Sequence, residues 1–359
     1  MNKEINKFLY RGLIFFFPVF IILGFPALVL VKSGELDYFS SFINKHTENK
    51  LLLIGLSYRN PNELIKFNTA VLRQPKILVL GNSRVMQFRS YFFKDEDEFY
   101  NAGGSITGIN EARFFLENMP EEYSPRILII GLDHNMFNSA QEAETKNEYY
   151  IKTEKASDVS ILGVFAYSWK QVYEDYSSKK FNLNFLLKRN QANINKIGLN
   201  ALVNNSGFRY DGSYKYGNFN TYNNLNKDLK LVDNGENPYS YSGEISKEFV
   251  KSLDMFLKES QKRNIFVVSF LPPYAPSIYK KITDRPVEYD YILGSSKSIE
   301  KKIESYGFEF YDFTNPNNIS VADEDFIDGN HGSEKVYLKL FQRMLEEKSV
   351  LNEVAADQY

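Results

Sequence analysis

Short apolar runs without polar alternation are the feature that most constrains the fold of this chain. They centre on residues 77–80, 98–101, 127–131, 265–271 and 308–313. A run of this kind predicts a strand covered on both faces, as in a parallel sheet. Because segments with helical periodicity separate them, the runs predict an α/β fold. We expect a flavodoxin-like three-layer sandwich around a five-stranded parallel sheet.

Amphipathic helices are predicted around these strands. Apolar periodicity indicates helices over residues 63–72, 110–118, 246–263, 296–306 and 333–347. Ser333 stands at the N-cap position of the last helix, where a serine oxygen can accept a free backbone N–H. Ligands of such sheets bind beyond the carboxyl ends of the strands. Functional residues are therefore expected directly after the apolar runs.

Ser83 occupies such a place, at the end of the stretch ILVLGNSR that covers residues 77–84. A serine hydroxyl is a weak nucleophile until a base takes its proton and a third group orients that base. One of the three histidines, His331, follows Asp328 by three residues near the C-terminus. In a sheet of strand order 2-1-3-4-5 both segments end at one edge. We predict Ser83 as nucleophile, His331 as base and Asp328 as its orienting group, although singly a turn serine and a surface histidine are simpler readings.

The N-terminal region contains an uncharged apolar run over residues 12–31, long enough to cross a bilayer as a helix. Pro18 and Pro26 are expected to bend that helix. Three basic residues precede the run and acidic residues follow it, so residues 1–11 are expected in the cytoplasm and the rest of the chain outside. A cleaved signal peptide is the alternative, but no small-x-small cleavage site follows the run. A buried core helix is a further alternative, which would normally show a polar face.

Charge and composition exclude several classes of function. The 43 basic and 45 acidic residues are interspersed, with a net charge of −2, which argues against a nucleic-acid partner. The absence of cysteine excludes disulfides, thiolate metal sites and a cysteine nucleophile. Asp133 and His134 are adjacent, but no suitably spaced second histidine accompanies them. The sequence therefore predicts neither a metal nor a cofactor.

The predicted domain organisation follows from the same alternation of strands and helices. Residues 32–75 are expected to be a connector, residues 76–348 the sheet domain and residues 349–359 a C-terminal tail. An insertion at residues 141–245 interrupts this alternation of strands and helices. Its stretch 204–226 is rich in Asn, Gly and Tyr, a composition typical of loops and short hairpins. Two interpretations stay open for the insertion. One is a lid or sugar-binding surface, and the other is a surface excursion whose tyrosines pack together.

Four short motifs together resemble the SGNH/GDSL hydrolase superfamily. They are Leu80–Arg84 around the serine, Tyr100–Ser105 after the second strand, Ile130–Asn135 after the third, and the Asp328-x-x-His331 pair. The chain looks most like the membrane-anchored, extracytoplasmic members found with cell-envelope polysaccharide machinery, of the DltD type and the AlgJ/AlgX type. The resemblance covers about residues 77–345, apart from the insertion.

The resemblance implies an oxyanion hole built from the Ser83 N–H, a glycine N–H and an asparagine side chain. Gly104 is the candidate glycine, with Gly103 nearly as good, and Asn135 is the candidate asparagine. The usual Gly-x-Asn-Asp order is absent, since the third motif reads Gly-Leu-Asp-His-Asn. Losing one oxyanion donor typically slows turnover by about 10²–10³-fold. This departure suits slow acyl transfer better than a fast general esterase.

Two further residues are candidates for substrate binding, Arg84 and Asp133. Arg84 follows the nucleophile directly and could hold an anionic headgroup or a polymer phosphate. An arginine that caps its own helix region or pairs with a nearby acid is an equally good interpretation. Asp325, in the acidic run before Asp328, is a second choice as orienting group for His331.

The function implied by the resemblance is that of a membrane-anchored serine O-acyltransferase acting on a cell-envelope polysaccharide or glycopolymer. Its partners would be an acyl donor, a glycan acceptor and a membrane-bound O-acyltransferase that delivers the acyl group. A carbohydrate esterase that removes acyl groups is one alternative. A catalytically silent scaffold of a polysaccharide-modification complex is another.

Overall fold

The structure is a computed structural model of the chain, and it describes residues 3–37, 39–59, 62–139, 161–184, 195–217 and 221–359. The chain divides into two compact units. A first unit comprises Met1–Pro61, Glu154–Arg209 and Lys215–Asn218, and a sheet unit comprises Asn62–Thr153, Tyr210–Tyr214 and Phe219–Tyr359.

The helices of the described residues, in chain order, are α1 (Lys3–Ser33), α2 (Phe39–Glu48), α3 (Asn62–Arg73), α4 (Ile109–Glu117), α5 (Ile161–Ser177), α6 (Leu199–Asn204), α7 (Thr221–Asn234), α8 (Lys247–Lys262), α9 (Pro276–Thr283), α10 (Asp290–Leu293), α11 (Ser296–Glu304) and α12 (Glu334–Glu346). The strands are β1 (Leu53–Ile54), β2 (Ile77–Gly81), β3 (Phe99–Gly103), β4 (Ile127–Gly131), β5 (Lys196–Ile197), β6 (Gly207–Phe208), β7 (Tyr214–Lys215), β8 (Phe266–Leu271) and β9 (Glu309–Asp312).

The sheet unit is built on a five-stranded sheet in the order β3-β2-β4-β8-β9, with every neighbouring pair parallel. Numbered within the sheet, this is the predicted order 2-1-3-4-5, so the α/β class and the parallel sheet are confirmed. Every residue of β2, β3 and β4 is buried, which explains why their apolar runs lack polar alternation. The predicted strand ends are shifted by one or two residues, most clearly at Phe99–Gly103.

Three of these strands end in glycine because one side chain fills the space beyond them. Val85 packs against the ends of β2, β3 and β4, where Gly81, Gly103 and Gly131 lie. A Cβ atom at Gly131 would stand 2.2 Å from Val85 Cγ1, and one at Gly103 would stand 2.7 Å from Val85 Cγ2. Because protein interiors are close-packed, no larger residue fits there without moving Val85. The glycines therefore fix the turn that carries Ser83.

The first unit joins the predicted connector to part of the predicted insertion. β1 pairs in parallel with β5 and antiparallel with β6, and both partners come from the insertion. The buried Glu35 carboxylate accepts backbone N–H groups of Ser57 and Leu199 at 2.8 and 2.9 Å. The 32–75 segment is therefore more than a linker, since its strand and its acid both bind the insertion within this unit.

Two other boundaries differ from those predicted. The last residues, expected as a tail, pack on the sheet unit. The Lys94 N–H donates to Val354 O at 2.9 Å, and the Ala356 N–H donates to Phe92 O at 2.9 Å. A backbone segment that finds partners of this kind becomes part of the fold. Within the Tyr-rich stretch, where loops or short hairpins were expected, the structure has the short strands β6 and β7 and the start of α7.

Helix α1 carries the apolar run and contains both prolines. Among the described helices, none by itself has the length and hydropathy of a membrane span. The segments Glu4–Val19 and Ile21–Ser33 meet that test only together, with a bend of 58° between them. The bend follows Pro18 directly, as expected where a proline interrupts a helix.

Replacing Gly131 with alanine tests the packing of Val85. The new methyl group would overlap Val85, so we expect the free energy of unfolding to fall by about 1–3 kcal/mol. Gly243→Ala is the matched control, because a Cβ at Gly243 would meet only the Val287 carbonyl oxygen, at an ordinary contact distance of 3.7 Å. Urea unfolding of the full-length protein in detergent measures both variants. A second change, Val85→Ala, should restore part of the loss, and equal stability of Gly131→Ala and the control would refute this packing role.

Candidate active site

Ser83 begins a turn of 3₁₀-helix, Ser83–Val85, directly after β2. The preceding residue, Asn82, caps this turn because its side-chain oxygen accepts the Arg84 N–H at 3.0 Å. The serine is half-buried, so its hydroxyl is within reach of solvent at the carboxyl edge of the sheet. This is the placement that the sequence predicted.

Ser83, His331 and Asp328 form a hydrogen-bonded chain. Ser83 Oγ lies 2.8 Å from His331 Nε2, and His331 Nδ1 lies 2.8 and 2.9 Å from the two oxygens of Asp328. With Nδ1–H donating to the carboxylate, Nε2 carries a lone pair that accepts the serine O–H. The structure therefore brings together all three residues of the predicted triad, in the geometry that general-base activation requires.

Asp328 stabilises the loop that carries both Asp328 and His331. Asp328 Oδ1 accepts the N–H groups of Asn330 and His331 at 3.0 and 2.8 Å, which folds the Asp-x-x-His segment into a tight turn. Burial by itself would raise the pKa of the Asp328 carboxyl, but the hydrogen bond and charge of His331 and these N–H groups outweigh burial and lower it. Asp328 therefore stays ionised beside the imidazole. Asp325, the second choice, instead pairs with Lys335 at 2.6 Å.

A second carboxylate, Asp228, was not predicted to take part in the site. It belongs to α7 of the insertion, and its Oδ2 accepts the Gly329 N–H at 2.7 Å and the Tyr239 hydroxyl at 3.4 Å. Burial, followed by the neighbouring charge of Asp328, raises the pKa of Asp228. Part of the insertion therefore supports the triad loop. The Asn-rich sequence around Asp228 gives no pattern that marks this contact.

Arg84 is almost fully buried, and each of its side-chain N–H donors has an acceptor. Nε donates to Asn330 O at 3.0 Å, and Nη2 donates to the carbonyls of Pro272 and Pro273 at 3.0 and 2.7 Å. Nη1 lies 3.4 Å from both Asp133 Oδ2 and His134 Nδ1. The guanidinium also lies 4.5 Å from the centre of the Tyr274 ring. This geometry favours the acid-paired interpretation of Arg84 over contact with a substrate.

Asp133 is likewise buried and committed to the protein. Its carboxylate accepts Asn82 Nδ2 at 2.8 Å and the Asn135 N–H at 2.9 Å, besides facing Arg84. Burial raises the pKa of such a group, but here the charge of Arg84 and the Asn82 hydrogen bond lower it overall. As a substrate-binding residue Asp133 stays a prediction, while its observed partners make it the counter-ion of Arg84.

His134 completes this buried cluster as a neutral ring. Its Nδ1 faces Arg84, so Nε2 carries the proton and donates to Thr314 Oγ1 at 2.9 Å. Burial and then the charge of Arg84 lower the pKa of His134 well below its ordinary 6.5. Among the residues that the structure describes, no group of three or more Asp, Glu and His side chains is arranged to hold a metal ion.

The three predicted oxyanion donors differ in whether they already have a hydrogen-bond partner. The Ser83 N–H has no acceptor among the described residues. The Gly104 N–H donates to Gly81 O at 2.9 Å and to Asn82 O at 3.1 Å. The parallel ladder between β2 and β3 thus extends one residue past Gly103 and uses the donor that the sequence assigned to an oxyanion. Gly103 is no substitute, because its N–H donates to Asn101 Oδ1 at 2.7 Å.

Asn135 is half-buried, and its side-chain oxygen makes no hydrogen bond within the described part of the chain. Its amide group is therefore not committed to the fold, unlike the amide of Asn101. Asn101 donates to Val85 O at 3.0 Å and Phe88 O at 2.9 Å, which ties the end of β3 to the turn after Ser83. The Tyr-Asn-x-Gly motif thus has a structural explanation, while Asn135 as an oxyanion donor stays a prediction.

Comparison with known protein families finds no family model that matches this sequence, and comparison with curated proteins finds no significant match.

His134 is expected to make stability depend on pH. The pKa of His134 in the folded protein lies below the ordinary 6.5. Below pH 6.5, His134 therefore binds a proton in the unfolded chain but not in the folded chain. Its contribution to the free energy of unfolding is present above 6.5. It falls by about 1.4 kcal/mol per pH unit below that value.

Urea unfolding at a series of pH values between about 7 and 5 measures this slope in the wild type and in His134→Gln. Glutamine lacks the titrating ring and can still donate to Thr314. The slope of the unfolding free energy against pH should be smaller in the variant, by roughly the contribution of one proton. Identical slopes in the two proteins would show that His134 does not carry this dependence.

Proposed function

We propose that this chain is a membrane-anchored, extracytoplasmic serine O-acyltransferase of the SGNH/GDSL kind, acting on a cell-envelope polysaccharide or glycopolymer. The observation that carries the enzyme proposal is the 2.8 Å contact between Ser83 Oγ and His331 Nε2, with Asp328 behind the ring. The parallel sheet with its serine after the first strand and its histidine before the last helix supports the resemblance to this superfamily.

The first half-reaction forms an acyl-enzyme. Ser83 Oγ bonds to the carbonyl carbon of an acyl ester while His331 Nε2 takes the hydroxyl proton. Asp328 stabilises the imidazolium, and the Ser83 N–H stabilises the oxyanion, with the Asn135 amide as the second candidate donor. The tetrahedral intermediate then collapses. The bond to the leaving alkoxide breaks, and His331 returns the proton to that oxygen.

The second half-reaction transfers the acyl group. A sugar hydroxyl gives its proton to His331 Nε2 as its oxygen bonds to the acyl carbon, and the bond to Ser83 Oγ breaks. The proton then returns to Ser83. Water in the place of the sugar would give the carbohydrate esterase reaction by the same steps. By resemblance, a membrane-bound O-acyltransferase would deliver the acyl group.

The membrane anchor is part of the same proposal. Side chains along residues 13–17 of α1 are apolar and more than half exposed, and their burial in lipid would remove this surface from water. The basic residues before the run favour a cytoplasmic N-terminus. The two helical segments would cross the bilayer together, and the catalytic unit would then lie outside the cytoplasm.

One observation favours the silent-scaffold alternative, namely the engaged N–H of Gly104. A site that lacks one oxyanion donor is slower by about 10²–10³-fold but need not be inactive. Reactivity of Ser83 therefore decides between an enzyme and a scaffold, since a scaffold does not require an activated serine.

A fluorophosphonate probe tests that reactivity. The serine oxygen displaces fluoride only when a base activates it, so we expect the wild type to be labelled and Ser83→Ala to remain unlabelled. Ser305→Ala is the matched control, because Ser305 is an exposed serine outside the site. In-gel fluorescence of the full-length protein measures the label. An unlabelled wild type, or equal labelling of Ser83→Ala, would support the scaffold and refute the enzyme.

A second experiment separates transfer from hydrolysis. The protein is incubated with a labelled acyl ester and an oligosaccharide acceptor, and mass spectrometry locates the label. We expect acylated oligosaccharide with the wild type and none with Ser83→Ala. If the label appears only as free acid over a range of acceptor concentrations, the esterase alternative replaces the transferase.

A further inference from the structure

Helix α5, in the first unit, presents apolar side chains that the described residues leave exposed. Leu162 and Tyr167 are 78% and 85% exposed, and Trp169 is 37% exposed. The opposite side of the helix packs inward, with Val164 and Val172 buried. A cluster of exposed apolar side chains on a protein that also carries an exposed apolar helix points to a lipid surface.

Charge is distributed unevenly along α5. Residues 161–169 contain no charged side chain, whereas Lys170, Glu174 and Asp175 follow in its second half. Tyr167 and Trp169 stand where the uncharged half ends. Tyrosine and tryptophan are enriched at the boundary between headgroups and acyl chains, because one end of each ring system is apolar and the other polar.

α5 also donates a hydrogen bond to a carbonyl of α1 that lacks its helical partner. Pro26 has no N–H, so the carbonyl of Ile22, four residues earlier, lacks its helical partner. The Tyr173 hydroxyl lies 3.0 Å from Ile22 O and 3.1 Å from Ile21 O. The Tyr173 ring packs at 5.3 Å from that of Phe25. An unpaired carbonyl costs most where water is absent, so this contact suits a helix pair in lipid.

The position of that contact fixes how deep α5 must lie. Ile21 and Ile22 are at the middle of the uncharged run 12–31. A helix that touches α1 there cannot stay in bulk water if the run spans the bilayer.

We propose that α5 is a second membrane element, which lies in the outer leaflet beside α1 with Leu162, Tyr167 and Trp169 in contact with lipid. The inference rests on the proposed membrane anchor and does not depend on the proposed chemistry. It assigns to part of the insertion a role in holding the protein at the membrane surface.

Trp169 is the single tryptophan of the chain, so its emission reports on α5 alone. The full-length protein is reconstituted in phosphatidylcholine vesicles whose acyl chains carry bromine, a quencher, near the headgroup or near the methyl end. We expect emission to fall in both, because α5 would bring Trp169 into contact with the acyl chains. No difference between brominated and plain vesicles would overturn the proposal, and an occupant other than lipid would then be implied.

Substitutions locate the contact. Leu162→Glu combined with Tyr167→Glu should reduce the quenching and shift the emission to longer wavelength. Val287→Glu is the matched control, because Val287 is 76% exposed and belongs to the sheet unit. An equal effect of the control would count against a specific contact of α5.

Failures of the two proposals are distinguishable. Extraction of the protein from vesicles by alkaline carbonate would refute the anchor and this inference together. Resistance to extraction without quenching would refute only the role of α5. Quenching without fluorophosphonate labelling would leave the membrane role intact and refute the serine chemistry.

Discussion

The guanidinium of Arg84 holds the carboxyl edge of the sheet together. Its five N–H groups bind acceptors on separate segments: the triad loop at Asn330, the exit of β8 at Pro272 and Pro273, and the exit of β4 at Asp133 and His134. A buried cation is costly unless every donor is paired, so these segments are held in one arrangement. Since Arg84 adjoins Ser83 in the chain, the same arrangement sets the distance from serine to histidine.

Packing imposes a second restriction from the opposite side of the turn. Val85 occupies the space beyond three strand ends. The backbone around Ser83 is therefore held between the hydrogen bonds of Arg84 on one side and the packing of Val85 against the sheet on the other. The amide of Asn101 holds the carbonyls of Val85 and Phe88, and this leaves the turn little freedom. Preorganisation of this kind lets the protein bear the cost of aligning the triad during folding and not during the reaction.

The sequence predicted what depends on local patterns. Buried strands show themselves as apolar runs, and the Ser83, Asp328 and His331 pattern followed from strand order. Contacts between distant polar residues leave no such trace, as the support of Gly329 by Asp228 shows. The Gly104 donor was misassigned because a motif does not reveal how far a β-ladder continues. The first unit was missed because strands as short as Leu53–Ile54 have no detectable period.

The rigid parts of the site and the parts without hydrogen-bond partners would have different consequences for the proposed acyl transfer. Arg84, Val85 and Asn101, which position the turn after Ser83, are buried, whereas the Ser83 N–H and the Asn135 amide make no hydrogen bond within the described residues. The alignment of Ser83, His331 and Asp328 is therefore built into the fold, while oxyanion stabilisation in the proposed reaction would depend on how a substrate engages these donors. An acyl-enzyme in such a site would deacylate slowly to water and faster to an acceptor that binds well, which is the selectivity that transfer requires.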